Sequence, residues 1–425
     1  MQHERGYIVI SARSICSSPR IHGDLELALS NTGRIEEEET GRDASSSAAW
    51  AALLESASPR PDSARLLTLF RGVSWPDLFT LAEEHGVIAL LAASVRRFEQ
   101  DLVPPQIAQE IHESHRAQVL STLKMTAELF RLVQLFRAAA LDTALVKGPT
   151  LALRAYGDPG ARQYGDLDFL VRQRDILRAT EVMIAAGYEP DIAPDAMRAE
   201  NIPGQYLFVR MSAPLLIELH TERTMRYFPH GLPLEMFFER RKYVPLEGHD
   251  IPALAIEDEL ILICIHGAKH LWERLTLIAD VAALVTRQTG LDWERSFKTA
   301  RELGAERMLH TGLLLAHNLL HPTLPSDIQA RFQSDVAASR LARQIASWLP
   351  SAGQAPPGLL TRALFRMRMR GNPVSGLSYL LKLSFSPTQE DWGAAGCEKL
   401  GGHFASLRRP LRLAKKYRRA DKAPE

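Results

Sequence analysis

Several things are scarce in this chain, and each absence excludes something. The three cysteines, Cys16, Cys264 and Cys397, are far apart and never form a Cys-x-x-Cys. That argues against a disulfide framework or a zinc knuckle and fits a reducing cytoplasm. Neither sign of charge dominates: 51 Lys and Arg face 50 Asp and Glu, for a formal net charge of +1. Bulk electrostatics therefore give no reason to bind nucleic acid or a membrane surface. No apolar run approaches the roughly 20 residues that a membrane helix needs, and Tyr7-Ile8-Val9-Ile10 is too short for a secretory core. We expect a cytoplasmic protein with no membrane span. There is no Gly-x-x-x-x-Gly-Lys-Ser/Thr, no kinase Gly-rich loop, no His-Arg-Asp and no Gly-x-Ser-x-Gly. P-loop, kinase and α/β-hydrolase chemistry fall away with them. No internal repeat is visible.

What is present is an ordinary globular composition, 46% hydrophobic and 24% charged over 425 residues, long enough for two or three domains. Residues 1–45, with Glu36 to Glu39 and Ser45 to Ser47, are too polar to build a core and read as a disordered tail. Residues 46–140 read as helical, ending in a long helix over Ile107 to Ala140 with Leu120, Leu123, Leu129, Leu132, Leu135 and Phe136 at spacings of three or four, save one longer step. Pro104-Pro105 would open it. Residues 141–252 then change pattern. Strands are expected at Thr143 to Val146, around Asp166 to Val171, at Tyr206 to Arg210 and at Leu215 to Leu219, with helices at Thr150 to Tyr156 and Ile176 to Ala186. Residues 253–348 return to helix, and residues 349–425 hold a Pro- and Gly-containing break, helices and a basic stretch from Arg408 to Lys422. That stretch reads either as a solvated tail or as a contact for an anionic partner. The fold class predicted is α+β: a small mixed sheet flanked in sequence by helical regions.

The strongest local signal is Gly165-Asp166-Leu167-Asp168-Phe169-Leu170-Val171. Side chains at i and i+2 of a strand share a face, so Asp166 and Asp168 point the same way. Two like charges that close need a cation or a proton between them, and a hard ion with oxygen ligands such as Mg²⁺ suits them. On spacing alone a solvated strand end is the favoured reading. Glu218, in Leu216-Ile217-Glu218-Leu219-His220, sits between apolar neighbours and shares a face with His220. It is costly to bury without a charge partner. His220 reads either as a contact to a substrate or as a hydrogen-bonded core histidine.

Lys147-Gly148, Tyr156-Gly157-Asp158-Pro159, Arg162, the Asp166-x-Asp168 strand, Glu218-Leu219-His220, and His266 to Leu275 followed by Asp280 occur in this order over about 145 to 285. Together they resemble the polymerase-β-like nucleotidyltransferase superfamily. More closely, they resemble its branch of uncharacterised nucleotidyltransferases often found in bacterial biosynthetic clusters, including some for lasso peptides. The resemblance makes 141–252 the nucleotidyltransferase core. It implies that Asp166, Asp168 and Glu218 are catalytic and hold Mg²⁺, with Mn²⁺ as a substitute. It further implies that Lys147, Gly148, Arg162, Gly165, His220, His266, His270 and Asp280 bind the nucleotide and its phosphates. The implied reaction moves an NMP from an NTP to an acceptor and releases pyrophosphate. The acceptor would be a peptide, a protein or a small metabolite, with nucleic acid the less favoured partner. Phosphoryl transfer at the same site, or a non-catalytic nucleotide-binding role, are the alternatives. One departure stands out: the superfamily's Gly-Ser after the first strand is replaced here by Lys147-Gly148, without a serine.

Two expectations concern geometry beyond the strands. Arg162 is expected either on phosphate or in an ion pair with Asp166 or Asp158. A single helix over Glu257 to Thr286 would place His266, His270, Glu273, Leu277 and Asp280 within about 80° of one another. That stripe would line a cleft or face solvent. His-x₃-His spacing can hold zinc, but no Glu follows the first His.

Overall fold

The computed structural model describes residues 47–98, 102–194, 197, 204–210, 215–222, 233–351, 359–371, 374 and 376–377. The expected disordered tail, residues 1–45, all but the first residue of the break from Ser351 to Gly358, and the basic stretch Arg408 to Lys422 lie outside the described residues. Among the described residues four short helices come first: α1 (47–57), α2 (Ser63–Arg71), α3 (Trp75–Glu84) and α4 (Ile88–Val95). Asp62 caps α2 by accepting from the Ala64 and Arg65 amides, which satisfies donors the first turn leaves orphaned. The 34-residue α5 (Pro105–Ala138) starts at the proline pair, as expected. Its second half buries Met125, Leu129, Leu132, Val133 and Phe136 against the sheet. Leu120 and Leu123 of the predicted apolar face are instead 51% and 58% exposed, because the sheet lies only beneath the later turns.

Among the described residues the sheet has seven strands, in the order β3-β4-β5-β2-β1-β7-β6. They are β1 (Thr143–Val146), β2 (Asp166–Val171), β3 (Glu189–Pro190), β4 (Gln205–Arg210), β5 (Leu215–His220), β6 (Lys242–Leu246) and β7 (His249–Ala253). It is mixed: β2 with β5 and β1 with β7 are parallel, and the other pairs antiparallel. Helices α6 (Gly148–Tyr156) and α7 (Ile176–Ala185) flank β2 in sequence, and α8 (Leu234–Arg240) precedes the β6–β7 hairpin. A helical set closes the described chain: α9 (Ile256–Lys269), α10 (Leu275–Arg287), α11 (Trp293–Glu302), α12 (Glu306–Leu320), α13 (Ser326–Gln333), α14 (Val336–Trp348) and α15 (Leu359–Arg368). The α+β architecture is therefore as predicted. Three strands went unforeseen: β3, β6 and β7. Among the described residues no helix is long and apolar enough to cross a membrane.

Period-two alternation sends the two faces of the sheet into two different cores. Leu145, Leu167, Phe169, Val171, Ile217 and Leu219 pack with α5 and α7. Ala144, Val146 and Leu170 point the other way and join the core of the N- and C-terminal helices. Burying each such large apolar side chain contributes about 1.5–3 kcal/mol, so a slip of one residue in β2 would exchange the faces and is strongly disfavoured. Asp166 and Asp168 belong by alternation to the second face, and they emerge where the helices leave the sheet uncovered.

One long helix over Glu257 to Thr286 does not exist. It is split into α9 and α10 by His270 to Arg274, with Leu271 and Trp272 both in the left-handed region (φ 58° and 54°). The break contains no Gly or Pro. It is a tertiary effect: Trp272 is fully buried, and a Cβ on Gly267 or Gly312 would lie 2.5 Å and 2.8 Å from its ring. Two glycines on α9 and α12 open a slot, and filling it outweighs the local helical preference.

Candidate active site

The parallel β2–β5 register sets Asp166 opposite Leu216, Asp168 opposite Glu218 and Leu170 opposite His220. Asp166, Asp168, Glu218 and His220 therefore share one face, as the spacing predicts. His220 Nε2 lies 2.9 Å from Asp168 Oδ1 and 3.2 Å from Glu218 Oε2, bridging the two strands. Gln205 of β4, opposite His220 in the next register, donates through Nε2 to Glu218 Oε2 at 2.7 Å. His220 is thus inside the carboxylate cluster, not part of an apolar core.

Lys147 follows β1 directly, and continued alternation would send it into the other core. Instead its backbone turns to φ 66°, with Gly148 at φ 60°. Its Nζ comes to 2.8 Å from Asp168 Oδ2 and 3.5 Å from His266 Nδ1. A lysine in that backbone region is strained, and such strain concentrates at functional sites. Gly148 adopts the same hand without a Cβ penalty.

The charges are unevenly shared. The neighbouring Asp168 charge, with burial, pushes the Asp166 carboxyl up to about 6. Burial also favours a neutral Asp168, but the Lys147 ammonium and His220 outweigh it and hold that carboxyl well below its usual range. Burial opposes charge on Lys147 and is overcome by Asp168 and Asp166. Burial likewise opposes charge on His220, but hydrogen bonds to Asp168 and Glu218 lift it to about 9.

Arg162 does not pair with Asp166 or Asp158. Its Nε lies 3.0 Å and 2.8 Å from the two oxygens of Asp280 on α10, and Tyr156 at the end of α6 donates to Asp280 Oδ1 at 3.0 Å. Arg162 and Asp280 are buried, Asp280 at 2% exposure, and Tyr156 is partly buried. Burial, reinforced by the Asp280 charge, raises the Tyr156 hydroxyl well above its ordinary value, so it stays a donor.

His266 and His270 do meet, with ring centroids 4.5 Å apart. Burial, then the Lys147 charge, holds His266 well below its ordinary range, and burial with Lys269 takes His270 to about 3. Both are neutral at pH 7.

These groups surround a cavity of about 600 Å³, a size that suits a small-molecule ligand. Lys147, Gly148, Arg162, Gly165, Asp166, Asp168, Glu218, His220, His266 and His270 all line it, whereas Asp280 lies behind Arg162 and does not. The sequence reading missed Gln205, Lys269 and Arg274 of the lining, and the part played by Tyr156. Gln205 could have been found from the same alternation that placed His220. Gly165 has no atom within 4 Å of where a Cβ would stand, so protein packing does not require glycine there and the space belongs to the cavity.

Among the described residues Asp168, Glu218 and His220 form the one group of side chains close enough together to hold a metal ion, with ligand atoms within 4.8 Å. The carboxylate oxygens of Asp168 and Glu218, with Asp166 beside them, suit a hard dication, whereas His220 is committed to hydrogen bonds with the two carboxylates. Three carboxylates face two cationic side chains, and the surplus negative charge is what raises Asp166. An ion bound there would relieve it.

No curated protein matches the chain. A solved structure, an antigenic nucleotidyltransferase-like protein from Paracoccidioides brasiliensis, is similar over 49% of this chain and 91% of that one, at 16% identity and a TM-score of 0.32. A likeness that weak says nothing about chemistry. The model of the family described as uncharacterised nucleotidyltransferase matches residues 71–321, more than half of the sequence, with the whole cavity inside that span. The chain belongs to the uncharacterised nucleotidyltransferase family.

Proposed function

We propose that this pocket moves a nucleoside monophosphate from an NTP to an acceptor hydroxyl and releases pyrophosphate, with Mg²⁺ required and Mn²⁺ able to replace it. The observation that carries this reading is the convergence of Asp166, Asp168 and Glu218 on one sheet face, in a cavity that Lys147 and Arg162 also enter. Bound divalent ions would neutralise phosphate charge and lower the pKa of the acceptor hydroxyl.

The chain's own residues take the remaining roles. Asp166, Asp168 and Glu218 hold the ions. His220 and Gln205 fix the two outer carboxylates by direct hydrogen bonds. Lys147 offers a compact charge and Arg162 a planar fork to phosphate oxygens. Lys147 thereby stands in for the superfamily's Gly-Ser. The neutral His266 and His270 form a wall without repelling a cation. In the transfer, the acceptor oxygen bonds to the α-phosphorus while the bond from that phosphorus to the β-bridging oxygen breaks. The electron pair leaves with pyrophosphate, and the hydroxyl proton passes to a carboxylate of the trio. The acceptor is a peptide, a protein or a small metabolite. We place the reaction in the cytoplasm on the scarcity of cysteine.

The test uses α-³²P and γ-³²P NTPs with Mg²⁺ and candidate acceptors, beside an Asp166→Ala/Asp168→Ala variant. Label from the α-position in an acceptor, absent in the variant, supports nucleotidyl transfer. Label only from the γ-position replaces it with phosphoryl transfer. No label together with no NTP binding leaves a non-catalytic scaffold.

A further inference from the structure

The least expected contact in the site is the one behind it. Asp280 is 118 residues from Arg162 in sequence and belongs to the helical set that follows the sheet, yet both its oxygens converge on the arginine's Nε. Arginine–carboxylate pairs usually spend two nitrogens on two oxygens, as parallel bonds. Here a single nitrogen takes both, and neither terminal nitrogen has a protein hydrogen bond among the described residues. Arg162 lines the cavity, whereas Asp280 and Tyr156 do not. On the cavity side the arginine and Asp166 sense each other's charge. The guanidinium is therefore held from the rear with its fork free at the front.

The holder is itself immobilised. Tyr156 ends α6, the helix that begins at Lys147-Gly148, and its hydroxyl fixes the same Asp280 oxygen. Gln288 donates to the Arg154 carbonyl at 2.8 Å, and a Cβ on Gly157 would lie 2.6 Å from Arg287, so α6 and the end of α10 are in close contact. One block thus carries Lys147 at its front and the Arg162 holder at its back. Two of the cations that line the cavity, Lys147 and Arg162, thus keep a fixed relation to each other.

We propose that Asp280 and Tyr156 are positioning residues that aim the free fork of Arg162 into the cavity, so that the pocket selects its ligand by the length of the phosphate chain. Lys147 and the carboxylate cluster mark one point along that chain, and Arg162 marks a second. A monophosphate reaches one of them and a triphosphate both. The proposal rests on the nucleotide reading of the pocket.

Isothermal titration of the full chain with ATP, CTP, GTP and UTP in Mg²⁺, and with the di- and monophosphate of whichever base binds best, tests it. The wild type is expected to prefer the triphosphate over the monophosphate by about tenfold or more, the scale of one charge-assisted contact. Asp280→Asn should weaken the triphosphate by about tenfold and leave the monophosphate unchanged, and Tyr156→Phe should produce a smaller shift in the same direction. In an Arg162→Lys background, Asp280→Asn should have no further effect on the triphosphate, because its influence passes through the arginine's fork. A merely structural role would weaken all three ligands alike and would add to Arg162→Lys. Either result overturns the proposal, as does an unchanged triphosphate preference in both single variants. Should thermal melting find Asp280→Asn unfolded, Tyr156→Phe decides. A wild type that binds none of the four NTPs removes the nucleotide reading itself, a distinct outcome from wild-type binding with indifferent variants.

Discussion

The strand β2 carries a charged cluster at each end, and the two are built on opposite principles. At its start, three carboxylates crowd around one lysine and one histidine, largely out of water, at the wall of a cavity. Just beyond its end, Arg172 meets Asp142 at 2.7 Å and chelates Glu235 through Nε and Nη2, while Arg241 takes the other oxygen of Asp142 at 3.1 Å. Two cations there match two anions, both acids face solvent (49% and 59% exposed), and the Arg172 guanidinium lies 4.4 Å from the centre of the Phe238 ring. The second cluster is complete in itself and ties β1, β2 and α8 together. The first keeps a surplus of negative charge under low screening, which is costly unless a ligand completes it. A site is recognisable here by the charge it leaves unmatched.

That difference can be broken experimentally. The largest effect should come from Asp166→Ala/Asp168→Ala, which removes label transfer by more than about a thousandfold, the scale of losing preorganised charge stabilisation. Arg172→Met, at the other end of the same strand, should leave transfer intact. Equal losses from both variants would mean that the two ends are not functionally distinct.

Next in size is a pH effect confined to the first end. His220 is raised to about 9 from an ordinary 6.5, since its bonds to Asp168 and Glu218 outweigh burial. Its stabilising contribution is therefore fully present below 6.5 and lost as pH rises through 9. In EDTA, the stability difference between wild type and His220→Gln should reach up to roughly 3 kcal/mol near pH 6 and disappear by about pH 10. A difference independent of pH in denaturant titrations would show that the imidazole acts only by shape.

Much of the first cluster was legible because it is local. Spacing of i and i+2 placed Asp166 with Asp168 and Glu218 with His220, and strand pairing only had to bring the two pairs together. What could not be read was contact at long range. Nothing near Arg162 points to Asp280, and the partners read from sequence were a phosphate or one of the nearby Asp158 and Asp166. The split between α9 and α10 was hidden because Leu271, Trp272 and Glu273 are acceptable helix residues, and only the slot between Gly267 and Gly312 unwinds them. The β6–β7 hairpin was missed although Glu247-Gly248, both at positive φ, form its turn. Pro245 lies within β6, where proline is tolerated because that strand is the sheet edge. Asp280, expected at the nucleotide, meets Arg162 and does not line the cavity.

A smaller effect sharpens the account of the surplus charge. Lys147 partly neutralises Asp168 through a 2.8 Å contact, in the place where a dication would act. Lys147→Met should strengthen Mn²⁺ binding without nucleotide by about tenfold, measured by electron paramagnetic resonance, and weaken NTP binding by about as much. The two changes have opposite signs because the ammonium competes with the ion and cooperates with the phosphates. Movement of both affinities in the same direction would show that Lys147 only supports the local structure.

The smallest effect belongs to the balanced end. The hydrogen bond from Arg172 holds the Asp142 carboxyl below its usual range, so its stabilising contribution is present above 3.8 and lost as pH falls further. The sign is the reverse of that at His220. Both acids are exposed, so solvent and salt screen the ion pairs, and what survives screening is the stacking of Arg172 on Phe238. Arg172→Met should lower the melting temperature by about 3 °C at low salt and neutral pH, by less in high salt, and by little below pH 3. A loss that persists unchanged in high salt and in acid would mean that Arg172 contributes through packing alone, and the two ends of β2 would then differ in kind and not merely in charge balance.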